Sequence, residues 1–242
     1  NMELFIAEKP SVGKAIAAAI GATESKNGYM EGHGFMVTWC LGHLVELAMP
    51  EDYNKEFATW RYKDLPIIPD KWKYNVSADG AKQFNIVCSL MNDEKVNGII
   101  CATDAGREGE LIFRLVYEKA GCRKPVRRLW ISSMEESAIR EGIHVMKNQS
   151  AYDNLYQAAL CRAQADWLIG MNATRLYSLL YGPTLPIGRV MTPTLAMLSE
   201  REDAIEHFEP ETFYTVKLDL GNGLIGHSER IHDLSEARSL TE

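Results

Sequence analysis

Gly98-Ile99-Ile100-Cys101-Ala102-Thr103-Asp104-Ala105-Gly106-Arg107-Glu108-Gly109-Glu110 passes from an unbroken apolar run into a charged, glycine-containing segment. A short apolar run without alternation is what a strand buried on both faces requires, because neither face meets water. Ile112, Leu115 and Val116 then fall on one side of a 3.6-residue period, so a helix follows the acids. An earlier stretch repeats the pattern. Leu4-Phe5-Ile6-Ala7 is apolar, Glu8-Lys9 is charged, and Pro10-Ser11 breaks the run. Ile16 and Ile20 at i, i+4 spacing then mark a helix that Gly21 stops.

Val126 to Ile131 is a third strand candidate, and Ser133-Met134-Glu135-Glu136 matches the capping-box pattern that opens a helix. Between the first two units, residues 28–47 alternate and contain Gly32, Gly34 and Gly42, which suits strands and tight turns. Residues 48–75, with three prolines, Trp60 and Trp72, read as a loop held down by aromatics. Ala81, Phe84, Val87, Cys88 and Met91 keep helical spacing. Strands alternating with helices predict an α/β layer around a mainly parallel sheet.

Near Ser150 the texture changes. Ala151 to Leu180 is a long helical stretch without proline, ended by Gly182-Pro183. Thr192-Pro193 reads as a cap with a first-turn proline for a helix running to about Phe208. Phe213 to Leu220 alternates like a strand, Gly221-Asn222-Gly223 signals a turn, and a new helix is expected after Ser235. A natural domain rarely stops a few residues into a helix, so the chain is read as a piece of a longer one. Asn1 before Met2 is read as the remnant of an expression tag.

At 242 residues, 46% hydrophobic and 24% charged, the chain can bury a sizeable core. A formal net charge of −7 weighs against a wholly basic nucleic-acid-binding surface and leaves local clusters to carry any such contact. Arg123, Lys124, Arg127 and Arg128 form the densest basic stretch. The five cysteines are odd in number and include no C-x-x-C pair. No zinc site or disulfide framework is therefore expected, and a reduced, cytoplasmic setting is. No apolar run approaches 18 residues, so no membrane partner or span is expected.

The chemistry concentrates where strands end. Glu8 follows the first strand and Asp104 the second, and sites of open α/β sheets form at carboxyl ends of strands. If the two strands are neighbours, the acids converge. Asp104 and Glu108, four apart, share one face if a helix starts at once. Three carboxylates in one small volume repel, and a divalent cation relieves that; oxygen-only donors favour Mg²⁺. Acids solvated at a helix N-terminus have the same spacing, so spacing alone leaves both readings open. Lys9 and Arg107 each sit beside a carboxylate and suit a phosphate or a charged transition state, or are plain surface cations.

Five stretches in order extend the reading. They are Phe5-Ile6-Ala7-Glu8-Lys9-Pro10-Ser11, Thr38-Trp39-Cys40-Leu41-Gly42-His43-Leu44, Asp104 to Glu110, Arg162 to Asn172, and Gly188-Arg189-Val190-Met191-Thr192-Pro193-Thr194-Leu195. Together they resemble type IA DNA topoisomerases of the topoisomerase III kind. The resemblance implies a Rossmann-like Toprim domain over 1–150, a helical single-strand-binding domain over 151–207, and the start of a β-rich arch over 208–242. It implies Glu8, Asp104 and Glu108 as the metal-site acids with Mg²⁺ as cofactor, and Glu8 and Lys9 as the catalytic acid and lysine. Arg162, Asp166, Gly188, Arg189, Val190, Met191 and Thr192 would line a groove for single-stranded or underwound DNA; by position beside the acids, Arg107 is a further candidate DNA contact, and His43, after Gly42, is either a DNA contact or a structural histidine. The implied reaction is ATP-independent cleavage and rejoining of one strand through a tyrosyl phosphate, with a helicase as a candidate partner.

Three departures narrow this. Where many relatives have Asp-x-Asp-x-Glu, the middle acid here is Gly106. Met191 stands where glutamine is frequent. The family's nucleophile lies in a Tyr-Pro-Arg context, and none of the ten tyrosines here precedes proline. The chain alone is therefore expected to be inactive. Two rivals stay open: another Toprim enzyme, a primase or a nuclease of the overcoming-lysogenisation kind, and a single-strand-binding module without catalysis. In the neighbourhood of these motifs, Arg175, Tyr177 and Tyr181 are further candidates for DNA contact, while Trp167 and Leu168 read as core.

Overall fold

A computed structural model describes residues 2–241; Asn1, read above as a tag remnant, and Glu242 lie outside the described residues. The chain divides into two compact units, one ending at Arg189 and the other starting at Val190.

In the first unit the elements run β1 (Met2–Ala7), α1 (Pro10–Ile20), β2 (Glu24–Lys26), β3 (Tyr29–Gly32), β4 (Phe35–Trp39), β5 (Val45–Leu47) and α2 (Pro50–Tyr53). They continue with β6 (Tyr74–Val76), α3 (Ala81–Asn92), β7 (Val96–Ala102), α4 (Arg107–Lys119), β8 (Val126–Arg128), α5 (Glu136–His144), β9 (Lys147–Asn148) and α6 (Asp153–Tyr181). A seven-stranded sheet has the order β2-β3-β4-β1-β7-β8-β9. Its centre is parallel: β1 pairs with β4 and β7, and β7 with β8. Its edges are antiparallel. The expected α/β architecture is therefore the one observed.

The central strands form for the expected reason. Leu4, Phe5, Ile6 and Ala7 are fully buried, as are Ile99, Ile100 and Cys101 to within 1%. Leu4 and Ile6 face one apolar layer with α3 and α4; Phe5 and Ala7 face the other with α1 and α5. Burying a Leu, Ile or Phe side chain contributes about 1.5–3 kcal/mol, so this double-faced core carries the sheet. Gly21 closes α1 at φ 79°, its N–H reaching Ala17 and Ala18 carbonyls, as its sequence position predicts.

Several local expectations change. The third strand is only Val126–Arg128: Leu129 N still donates to Cys101 O at 2.9 Å, and the residues beyond it are not strand. No capping box opens α5: Glu135 caps it without a side-chain bond, Ser133 Oγ accepts from Glu135 N at 3.2 Å, and Glu136 pairs with Arg140 at 2.8 Å. The 48–75 segment is tied to α6 by aromatics. Trp72 meets Trp167 edge-on at 5.4 Å, and Trp167 Nε1 donates to Ala48 O at 2.9 Å.

The second unit holds α7 (Met191–Glu206), a hairpin of β10 (Lys217–Asp219) and β11 (Ile225–His227), and α8 (Leu234–Ser239). Thr192 is not the cap of α7. The helix begins two residues earlier, with Val190 at the cap, and Pro193 sits in the first turn, where an N–H has no intrahelical partner to lose. The Gly221–Gly223 turn has positive φ at all three residues, and Asp233 caps α8 by accepting from Ser235 N and Glu236 N. No helix among the described residues is long and apolar enough to cross a membrane.

Candidate active site

β1 and β7 are adjacent and parallel with Ala7 opposite Ala102, so both chains leave the sheet at one point. Glu8 and Asp104 therefore meet. Glu8 Oε2 accepts from the Asp104 backbone N–H at 3.1 Å. β4, the other neighbour of β1, ends beside them: Gly42 N donates to Glu8 O at 3.1 Å with φ 75°, a left-handed conformation that glycine takes without a Cβ penalty. His43, the next residue, has Nε2 3.6 Å from Glu108 Oε2. Lys9, Ser11, Asp104, Ala105 and Ser132 line an open cleft of about 580 Å³ at this end of the sheet.

The acids do not sit as helical spacing alone implied. α4 starts at Arg107 with Gly106 as its cap, so Asp104 precedes the helix instead of sharing a face with Glu108. Asp104, Arg107, Glu108 and Lys9 are exposed and Glu8 is half-buried. Among the described residues no group of three or more His, Cys, Asp or Glu side chains stands in a metal-holding set. The expected trio of Glu8, Asp104 and Glu108 is thus not assembled. Glu8 turns to the Asp104 N–H and Glu108 towards His43.

The two glycines of the motif differ. A Cβ on Gly109 would stand 2.1 Å from Asp104 O, so only glycine lets the helix approach that backbone. Gly106 is extended at φ −179°, and a Cβ there would meet nothing within 4 Å. It needs no glycine, and an acid would fit.

Beneath the loop lies Arg128, which the sequence shows only as part of a basic stretch. Arg128 is fully buried. Its Nη1 donates to Thr103 O at 2.6 Å and to Cys101 O and Leu129 O at 3.2 Å, and its Nη2 donates to Asp104 O at 2.6 Å. Its Nε lies 2.7 Å from Oε1 of Glu110, also fully buried, as an ion pair whose N–H points off the hydrogen-bond line. The signal available was its place in an apolar strand candidate, where an arginine must be paired or turned out.

On the long helix, Arg162 Nε lies 3.7 Å from Asp166 Oδ2, and Arg189 Nη1 2.8 Å from Asp166 Oδ1. The structure brings these three candidate groove residues together, partly exposed. Gly188 is half-buried and close in sequence to them. Val190, Met191 and Thr192 belong to the second unit, the first two exposed. Arg175 is not available to a phosphate as expected: it is 4% exposed, donates to Phe57 O at 2.6 Å and lies over Trp60, and burial lowers its pKa. Trp167 is buried, Leu168 is half-buried, and Tyr177 and Tyr181 are exposed and stacked on each other at 6.1 Å.

The Toprim domain model matches residues 3–134, and a DNA topoisomerase model matches 150–242. DNA topoisomerase 3 of Staphylococcus epidermidis is 51% identical over 217 residues, covering 90% of this chain and 30% of that protein. DNA topoisomerase 3 of Bacillus subtilis is 50% identical over 214 residues, 88% of this chain and 29% of that one. Full-length topoisomerase I from Thermotoga maritima shares the fold with a TM-score of 0.61 at 19% identity, over 98% of this chain and 37% of that one. The chain thus spans about 30% of the length of the relatives it matches. It belongs to the Toprim family, among the members that resemble DNA topoisomerase 3.

Proposed function

We propose that the intact protein is a type IA DNA topoisomerase that cleaves and rejoins one strand without ATP while another passes, and that this chain supplies its acid, lysine and metal-and-phosphate site. One observation carries the reading: Glu8, Lys9 and Asp104 converge at the carboxyl ends of β1 and β7, with Glu8 3.1 Å from the Asp104 N–H, inside a Toprim match.

Mg²⁺ fits the donors present. Asp104 offers exposed carboxylate oxygens on the open cleft, and exposed Glu108, four residues on, faces His43. Mg²⁺ takes one or two carboxylates with water and substrate phosphate, so the missing acid at Gly106 does not exclude it. Asp104 and Glu108 would hold the ion, with Glu8 beside them. When bound it neutralises a DNA phosphate and keeps the broken ends aligned.

Glu8 gives its proton to the leaving 3′-oxygen on cleavage and takes it back on rejoining. Lys9, exposed on the same cleft, offsets the charge of the phosphorane-like state. The tyrosine nucleophile is assigned outside this chain, whose ten tyrosines lack the Tyr-Pro context. Arg107 and His43 border the strand near the acids. Arg162, Asp166, Gly188, Arg189, Val190, Met191 and Thr192 contact single-stranded or underwound DNA along residues 151–207, and 208–242 begins the arch. A helicase that supplies single strands, and a cytoplasmic setting, complete the reading.

The test is relaxation of a negatively supercoiled plasmid by the intact protein with Mg²⁺ and no nucleotide. Relaxation abolished by chelator is expected. Single-strand binding with no relaxation would favour the non-catalytic module.

A further inference from the structure

Glu110 closes the Asp-Ala-Gly-Arg-Glu-Gly-Glu motif, yet points away from the cleft and is fully buried. Its two oxygens face different elements. Oε1 meets Arg128 Nε at 2.7 Å. Oε2 accepts from Arg114 Nε at 3.1 Å and from Gln149 Nε2 at 2.6 Å. Arg114 continues outward, with Nη1 to Asp153 Oδ1 at 2.6 Å and Nη2 to Gln149 O at 2.8 Å, and its guanidinium lies 4.9 Å over the Tyr156 ring. Asp153 is the first residue of α6. On the opposite side, Arg128 grips the Thr103 and Asp104 carbonyls. Trp130 covers Arg128 at 5.2 Å and stacks on Tyr152 at 5.0 Å, which seals the pair from water with a residue from the turn that precedes α6.

Stability alone does not call for such a network, because a buried ion pair contributes little net stability over apolar packing of equal volume. An apolar pair could not hold carbonyls. Arg128 can, because its guanidinium presents several donors in a fixed fork, and Glu110 compensates the charge that this requires to be buried. The chain of contacts thus runs unbroken from the Asp104 backbone to the first turn of the helix that carries Arg162 and Asp166.

We propose that Glu110 is a positioning residue: through Arg128 on one side and Arg114 and Gln149 on the other, its carboxylate holds the Asp104 loop at a fixed offset from the start of α6. The proposal rests on the strand-cleavage reading for its consequence, since a phosphate held at Asp104 and a strand held on α6 must then belong to one substrate.

Two variants of the full-length protein test it, Glu110→Gln and Asp153→Asn, the second on an exposed residue so that folding is kept. The first readout is metal-free hydrogen exchange. Glu110→Gln is expected to speed exchange about tenfold in peptides over 103–110 and 149–156 while those of β1 and α3 stay unchanged; Asp153→Asn should do so over 149–156. The second is covalent adduct on a bound oligonucleotide, expected to fall about tenfold in both variants with oligonucleotide affinity unchanged. A uniform rise in exchange, or adduct at the wild-type level in Asp153→Asn, overturns the proposal. If Glu110→Gln does not fold, Asp153→Asn decides on both readouts. Absence of adduct in the wild type would instead sink the cleavage reading, and the exchange pattern would still judge the joint.

Discussion

The side chain of Glu8 accepts a hydrogen bond from the backbone N–H of Asp104 at 3.1 Å, across 96 residues of sequence. The contact follows from the sheet. β1 and β7 are parallel neighbours in register at Ala7 and Ala102, so the residues that leave them must meet. It places a carboxyl group beside an acid loop whose own carbonyls are held from below by Arg128.

Glu8→Ala in the intact protein should lower strand cleavage about 10²–10⁴-fold, the usual worth of a general acid, with single-strand affinity within about twofold. A gel assay of oligonucleotide cleavage beside a binding titration checks both. Loss of rejoining alone, with cleavage intact, would contradict the acid role.

Gly106→Asp should tighten Mg²⁺ about tenfold, because affinity follows the number of charged ligands and the site has room for a side chain. Calorimetric titration of the wild type and variant measures it. An unchanged or weaker affinity would place the ion away from this loop.

Gly109→Ala should destabilise by about 1–3 kcal/mol, as overpacking does, because the added Cβ would stand 2.1 Å from Asp104 O. Chemical denaturation gives the number. The Mg²⁺ response should weaken in the folded variant as the Asp104 carbonyl is pushed aside.

Arg162→Ala and Arg189→Ala should each flatten the salt dependence of single-strand binding by about 0.7 in the log–log slope, the value for one phosphate that is no longer neutralised. Arg175→Ala should instead lower stability, since that side chain is buried on Phe57 O and Trp60.

Burial pushes the Cys101 thiol up to about 11, with the nearby Glu110 charge adding and Arg128 opposing, and burial pushes Cys40 up as well. The folded state therefore holds these protons more tightly than the unfolded one. That stability is fully present below the ordinary thiol value of about 8.5 and is lost as pH rises towards about 11. A melting series from pH 8 to about 11 should fall more steeply in the wild type than in Cys101→Ala. Exposed Cys161 should react with thiol reagents well before either.

The parallel core was legible because Leu4–Ala7 and Gly98–Thr103 are apolar on both faces, and so was the meeting of Glu8 and Asp104 once those strands became neighbours. What stayed hidden depends on long-range packing. Nothing local says that Asp104 stops short of α4, a matter settled by the extended backbone at Gly106 and the close approach at Gly109. Arg128 reads as one more residue of a basic run, and only the sheet shows it inside, paired with Glu110. Arg175 has the spacing of a groove residue on α6, but Phe57 and Trp60, over a hundred positions earlier, claim it. The capping box at Ser133 fails because the helix starts later than the motif assumes.

Glu8 and the Asp104 loop are proposed to serve a strand break made by a tyrosine elsewhere in the protein. The most direct measurement is denaturing-gel trapping of a covalent adduct between the intact protein and a 5′- or 3′-labelled single-stranded oligonucleotide with Mg²⁺. A tyrosine-linked adduct carrying the 5′-phosphate side, present in the wild type and lost in Glu8→Ala, is predicted. An adduct undiminished by Glu8→Ala, or none from a folded wild type that binds the oligonucleotide, would contradict it.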